Sequence, residues 1–262
     1  MKKSLLLFIS IMTMCFSSFA WWGQTGHRVV GEIADIYLNN KARKAIREIL
    51  GNESIAITSN WADFIKSDTS FNYLSPWHYV NVKQGLSQAE FNDVLAKDTI
   101  TDAYTKLNFL IAELKNKQLA LDKKKMYLRL LIHIVGDIHQ PLHVGRFEDL
   151  GGNRVRVLWF GDSTNLHSVW DDRMIESQDL SYTEYVKAIN HSTKDQRLQW
   201  QQQAMEEWFY ESYQLAGKVY SSVTQPFQRL SFRYNYDHIG TLNSQLLKGG
   251  IRLAGLLNSI FG

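Results

Sequence analysis

Residues 133–143 read HIVGDIHQPLH, which places three histidines and an aspartate inside one of the most apolar parts of the chain. Buried polar side chains are costly unless each finds a partner. Any fold this chain adopts must therefore bring partners to this segment. His133 and Asp137 are four residues apart and share one face of a helix. His139 points elsewhere. Pro141 ends the helix, so His143 can swing back toward the same place from the turn that follows. Spacing alone leaves two readings of His133 and Asp137: a hydrogen-bonded pair, or two ligands of a metal.

If a metal is the partner, more ligands must lie elsewhere, and the sequence offers them. The four-residue spacing recurs at His167 and Asp171 in NLHSVWDD. WADFIK supplies Asp63, PWHYVN supplies His78 on an extended segment, and WGQTGH supplies His27. Taken singly, Asp63 reads as a cap or ion pair on a surface helix and His78 as a satisfied core histidine. As a set with the opening segment they point to a metal. His139, His191 and His238 have ordinary readings: an exposed helix face, a loop, and a helix start near Asp237.

The first twenty residues, MKKSLLLFISIMTMCFSSFA, have two lysines, a short apolar stretch and then Ser18-Phe19-Ala20. This is the pattern of a secretory signal over 1–20, cut after Ala20, or over 1–21. An N-terminal membrane anchor is the alternative, and the shortness of the apolar stretch disfavours it. The expected mature chain is 21–262, and no later run is long and apolar enough to span a bilayer. Cys15 is the only cysteine, so an exported form has no disulfides and must rely on its core and on metal. It also has no thiolate ligands, which leaves His, Asp, Glu and the main chain. Without Lys2 and Lys3, the 29 basic residues fall to 27 against 26 acidic ones. The basic pI is therefore a weak argument for a nucleic-acid partner, and any attraction for phosphate must be local.

Helical periodicity dominates the rest. Apolar positions Val29, Val30, Ile33, Ala34 and Tyr37 line one face of 27–38, and KARKAIREIL is stopped by Gly51. Ser87 with Glu90 and Ser181 with Glu184 are capping boxes. Long helices are expected over 101–116, 122–140, about 194–223 and about 238–259. The exception is GGNRVRVLWFGDSTNLH, where Val155, Val157 and Trp159 alternate with Arg154, Arg156 and Leu158 before a Gly161-Asp162 turn. The expectation is one mainly α domain with one short β-hairpin, without repeats or linkers.

In order along the chain, W-G-x-x-G-H, W-A-D, W-H-Y, H-x-x-x-D-I-H-Q-P-L-H, G-G-N and N-L-H-x-x-W-D resemble the S1/P1 family of secreted, zinc-dependent, single-strand-specific nucleases. That family belongs to one superfamily with the zinc phospholipases C. The resemblance spans residues 22–171 by motif. It implies a helical phospholipase C/nuclease-like fold whose cleft holds three zinc ions. Asp63, His78, His133 and Asp137 would hold the first, and His143, His167 and Asp171 the second. Trp22, through its amino nitrogen and carbonyl oxygen, would hold the third with His27 and a bridging Asp137. Nitrogen and oxygen ligands suit zinc, and the metal charge would make a nearly neutral protein locally positive where a phosphodiester must bind.

The resemblance also implies the reaction. Water bridging two zincs, positioned by Asp137, would attack phosphorus in single-stranded DNA or RNA and leave 5′-phosphates. Lys66 stands where the family carries a phosphate contact and reads either as a transition-state stabiliser or as a solvated lysine. Tyr79 stands at the family's base-stacking position. Asn81 replaces the family's aspartate, and an amide both donates and accepts, which leaves base preference open. A secreted monomer without stable membrane association is expected, in the extracellular space or periplasm. The alternative is a zinc-dependent phospholipase C, whose first histidine lies further from the N-terminal tryptophan and whose last motif ends in glutamate. A structural zinc site in a binding protein is the other rival, but such sites are closed and single.

Overall fold

The computed structural model describes residues 23–262. Helix α1 (Gln24–Ile36) buries Val29, Val30, Ile33 and Ala34 on the face that periodicity marks, and α2 (Asn40–Leu50) is capped by Asn39 and stopped at Gly51. Two single-turn helices follow, α3 (Ile55–Thr58) and α4 (Trp61–Phe64). A 3₁₀ turn over Ile65–Ser67 and another over Thr69–His78 then lead into β1 (Val80–Asn81). Helix α5 (Gln88–Lys97) opens on the expected Ser87/Glu90 capping box.

Helix α6 (Ala103–Lys115) is shorter than its periodicity suggests because Asp102 caps it, accepting from the Thr105 amide. Helix α7 (Leu121–Asp137) is followed by a 3₁₀ turn at Pro141–His143 and by β2 (Val144–Gly145). Strands β3 (Arg156–Trp159) and β4 (Asp162–Asn165) form the expected hairpin, with Val157 opposite Thr164. The chain continues through α8 (Leu166–Ser168), a π turn at Val169–Arg173 and α9 (Met174–Glu176). Helix α10 (Tyr182–Ile189) carries the second expected capping box, and α11 (Lys194–Gln202) follows it. After α12 (Met205–Ser221) come β5 (Gln228–Leu230) and the 30-residue α13 (Phe232–Phe261).

The fold is mainly α, as expected, with three departures. The helix expected over 194–223 is two helices, because Gln203 and Ala204 are extended. Gln203 turns its side chain to Arg252 instead, accepting from Nη2 at 2.6 Å. The hairpin gains a third, parallel strand in β5, with Val157 opposite Gln228. A second, two-stranded parallel sheet pairs Val80 with Val144 and Asn81 with Gly145.

His139 corrects a further expectation, since it is wholly buried rather than on an exposed helix face. Nδ1 donates to the Val135 carbonyl at 2.7 Å, and Nε2 meets Arg252 Nη1 at 3.0 Å. Gly249 on α13 leaves room for the ring, since a Cβ there would stand 3.2 Å from His139 Cγ.

Helix α1 lies against α13, α3 and α7, and α7 runs through the core with Leu130, Leu131, Ile132, Ile134 and Val135 all inaccessible. No helix among the described residues is long and apolar enough to cross a membrane.

Candidate metal centre

The buried half of α7 ends in His133 and Asp137, both inaccessible to solvent. Their side chains face the helices and turns that carry the other candidate ligands. Asp137 is the hub. Its carboxylate stands 2.8 Å from His78 Nδ1, 3.2 Å from His133 Nε2, 3.4 Å from His27 Nε2 and 3.6 Å from His143 Nδ1. His27 reaches it from α1 because α7 has a glycine at the contact: a Cβ on Gly136 would lie 2.7 Å from His27 Nδ1. Asp63, from α4, places its carboxylate 3.5 Å from His133 Nε2 and 3.9 Å from His27 Nε2.

The parallel pairing of β1 with β2 sets the second half of the site. It brings His78, at the end of one 3₁₀ turn, beside His143, at the end of another, and His143 Nδ1 donates to the His78 carbonyl at 2.7 Å. His143 Nε2 then faces Asp171 Oδ1 at 3.5 Å, while His167 Nε2 lies 3.0 Å from Asp171 Oδ2.

Main-chain oxygens orient the rings. His133 donates from Nδ1 to Ser59 O at 2.6 Å, and His167 does the same to Gly151 O at 2.6 Å. A carbonyl can only accept, so in His133, His143 and His167 the Nδ1 carries the proton and Nε2 is left to bind. Gly151 holds its carbonyl in place at φ +62°, where a side chain is strained, and a Cβ there would stand 2.5 Å from Leu142 O. Gln140, which the sequence reading passed over, donates to Asp171 Oδ1 at 2.5 Å and accepts from the Leu142 amide. The G-G-N and H-Q-P-L-H motifs carried both signals.

These side chains form three groups, each with its ligand atoms within 4.8 Å of one another and the first two sharing His133: His27, Asp63 and His133; His78, His133 and Asp137; His143, His167 and Asp171. Within them Asp137 Oδ1, His143 Nε2 and Asp171 Oδ2 are buried and make no hydrogen bond. Such atoms are expensive to bury without a further partner. A divalent cation with nitrogen and oxygen ligands fits that need. Trp22 lies outside the described residues.

The electrostatics are those of a proton-holding, metal-ready pocket. Burial works against charge on His143, but Asp137 and Asp171 outweigh it and lift its pKa to about 9. Burial pushes the His78 pKa down to about 3, helped by Lys66. Asp137 is held well below the usual carboxylate range because the surrounding histidines outweigh its burial.

Lys66 is no solvated lysine. Its side chain is 22% exposed and its Nζ donates to Asp63 Oδ1 at 2.5 Å. Burial lowers its pKa to about 8 against the pull of Asp63 and Asp137. Tyr79 follows His78 with its ring exposed and its carbonyl accepting from the Ala103 amide, and Asn81 sits half-buried on β1.

The comparisons with known proteins agree with this arrangement. The family model described as S1/P1 Nuclease matches residues 22–262. Endonuclease 3 of Arabidopsis thaliana is 30% identical over 274 residues, covering 97% of this chain and 93% of that protein. Nuclease S1 of Aspergillus oryzae is 30% identical over 186 residues, 68% of this chain and 63% of that one. Nuclease P1 of Penicillium citrinum is 24% identical over 271 residues, covering 92% and 98%. With a family match from end to end of the described residues and a buried histidine–aspartate cluster able to hold metal, the chain belongs to the S1/P1 nuclease family and is a phosphodiester hydrolase.

Proposed function

We propose that this nuclease is a zinc enzyme that cleaves single-stranded DNA and RNA to products with 5′-phosphates, and that it works outside the cytoplasm as a monomer. The observation that supports the metal most strongly is Asp137, wholly buried and within 3.6 Å of four histidine nitrogens. Asp63, His78, His133 and Asp137 would hold one zinc and His143, His167 and Asp171 a second. His27 with Asp137 and Trp22 would hold a third. Bound zinc supplies Lewis acidity, lowering the pKa of water toward neutrality and polarising phosphoryl oxygens.

The chain's own residues do the rest. Gln140 and the three main-chain carbonyls fix the ligands, so little reorganisation accompanies the reaction. Lys66, pinned beside the cluster, is placed to neutralise charge on a bound phosphate. The exposed ring of Tyr79 can stack only on a base that is not already stacked in a duplex, which favours single strands. Asn81, as an amide, offers that base both a donor and an acceptor.

The test is direct. Purified protein is incubated with single-stranded DNA, double-stranded DNA, RNA and a choline phospholipid, before and after exhaustive chelation. Cleavage of both single strands, lost on chelation together with melting temperature and restored by zinc, supports the reading. Undiminished cleavage with zinc absent by elemental analysis sinks it, and phosphodiesterase action on the lipid alone favours a phospholipase C. For export, the N-terminus of active protein recovered outside the cytoplasm is sequenced. Trp22 is the expected first residue, because a free amine binds metal and an amide does not. A fully active form starting at Trp21 overturns that requirement.

A further inference from the structure

Beside the metal centre a cleft of about 450 Å³ opens, walled by Gln24, Arg28, Asn60, Trp61, Asp63 and Phe64, with Glu53 and Ile57 also lining it. It shares Asp63 with the group formed by His27 and His133, so whatever occupies it adjoins that group. Two of its side chains are poised for a ligand. Phe64 follows Asp63 directly and is 77% exposed. The neighbouring Trp61 is already engaged, with the Arg129 guanidinium 5.3 Å over its ring and Phe71 edge-on at 5.9 Å.

Arg28 follows His27 on α1 and makes no ion pair among the described residues. Its guanidinium is nevertheless held in place. Nη2 donates to Gln24 Oε1 at 3.3 Å, and Nε donates at 2.9 Å to Asn60 in the amide orientation that satisfies both ends of that side chain. The acidic wall is neutralised, since Glu53 pairs with Arg129 and lies 3.9 Å from Lys125.

We propose that this cleft is a second nucleotide subsite, in which Phe64 stacks on the base that follows the scissile phosphate and Arg28 binds that nucleotide's own 3′ phosphate. The proposal rests on the single-strand reading above, in which Tyr79 takes the base before the scissile phosphate. His78, which precedes Tyr79, supports His143 through its carbonyl, whereas Phe64 adjoins the His27–Asp63 group. The two aromatic rings therefore leave the cluster from separate segments, Phe64 from α4 and Tyr79 from the end of the Thr69–His78 turn, as a strand running through the site requires. An exposed ring beside a fixed, unneutralised guanidinium is the combination that binds unpaired nucleotides with little sequence preference. The subsite makes the enzyme distinguish a continuing strand from a terminal phosphate.

The experiment compares wild type, Phe64→Ala and Phe64→Trp on adenosine 3′-monophosphate, which stops at the phosphate, and on diadenosine and longer oligoadenylates, which continue past it. In Phe64→Ala the kcat/KM on the dinucleotide relative to the mononucleotide should fall about 5- to 100-fold, and Phe64→Trp should restore it. Inhibition by adenosine 5′-monophosphate, measured against inorganic phosphate, should weaken by a similar factor and needs no turnover of the truncated substrate. Arg28→Gln should flatten the dependence of oligoadenylate affinity on salt by about 0.7 in log–log slope. A ratio that stays at the wild-type value, or equal losses on every substrate, overturns the subsite while leaving the nuclease reading intact. A wild-type enzyme that cleaves no oligoadenylate overturns both.

Discussion

His27 and His133 lie face to face, with ring centroids 3.9 Å apart and planes 18° from parallel. Two stacked imidazoles repel when both are charged. Burial and then His133 hold His27 below its ordinary pKa, while Asp137 and Asp63 overcome burial to hold His133 above its own. Protonating one ring of the metal-free pocket therefore disfavours protonating the other, and acid and metal compete for the same nitrogens.

Zinc uptake is expected to release protons. With its pKa lifted to about 9, His143 is protonated at pH 7 in the metal-free protein and must lose that proton to bind metal. Calorimetric titration at pH 7 in buffers of different ionisation enthalpy should report release of about one proton or more per chain. Zinc affinity should climb as pH rises toward 9. The raised pKa also stabilises the metal-free fold fully below the ordinary value of 6.5, and that stability is lost as pH rises through 9. Zinc uptake with no proton release at pH 7 would contradict the assignment.

Asp137→Asn is expected to harm activity more than Asp171→Asn. Asp137 faces four histidines, whereas Asp171 faces two, His143 and His167. An amide at the hub removes charge from two metal groups together. The comparison is kcat at matched zinc occupancy, and equal residual activities would argue against a bridging role.

Gln140→Met should weaken metal binding at the His143–His167–Asp171 group by about 10- to 100-fold. The substitution preserves bulk but loses both the donor to Asp171 and the acceptor for the Leu142 amide. Competition with a chelator of known affinity measures it, and wild-type affinity would show that Asp171 needs no such support.

Arg252→Met tests the network on the other side of α7. Arg252 is 1% exposed and holds His139, Gln203 and Glu211, while Lys248 pairs with Glu211 as well. Removing one partner leaves Glu211 short of a cation, at a cost of about 3–5 kcal/mol. Urea denaturation of the zinc-loaded protein should show that loss. A change under about 1 kcal/mol would mean that Lys248 alone satisfies Glu211.

Much of the site could be read from spacing, because its ligands obey local rules. His133 and Asp137 follow from helical period, and His143 returns after Pro141 as the chain-breaking ring requires. What escaped the sequence is non-local. Burial of His139 depends on a glycine of α13 more than a hundred residues later. The break between α11 and α12 has neither proline nor glycine to announce it, and Gln203 leaves the helix to meet Arg252. The parallel pairings of β1 with β2 and β3 with β5 join segments too distant for any turn signal. Even so, the first of them brings the His78 carbonyl to His143 Nδ1.

Three of the histidines are oriented by the carbonyls of Ser59, His78 and Gly151, and a carbonyl is the one acceptor that every amino acid carries. The tautomers are thus encoded in the path of the main chain and not in the identity of the side chains beside them. Substitution at Ser59 leaves its tether intact so long as the backbone keeps its course. Only at Gly151 does the acceptor depend on residue type, because φ +62° strains a side chain there and a Cβ would stand 2.5 Å from Leu142 O. A site built this way tolerates extensive drift in the side chains around it.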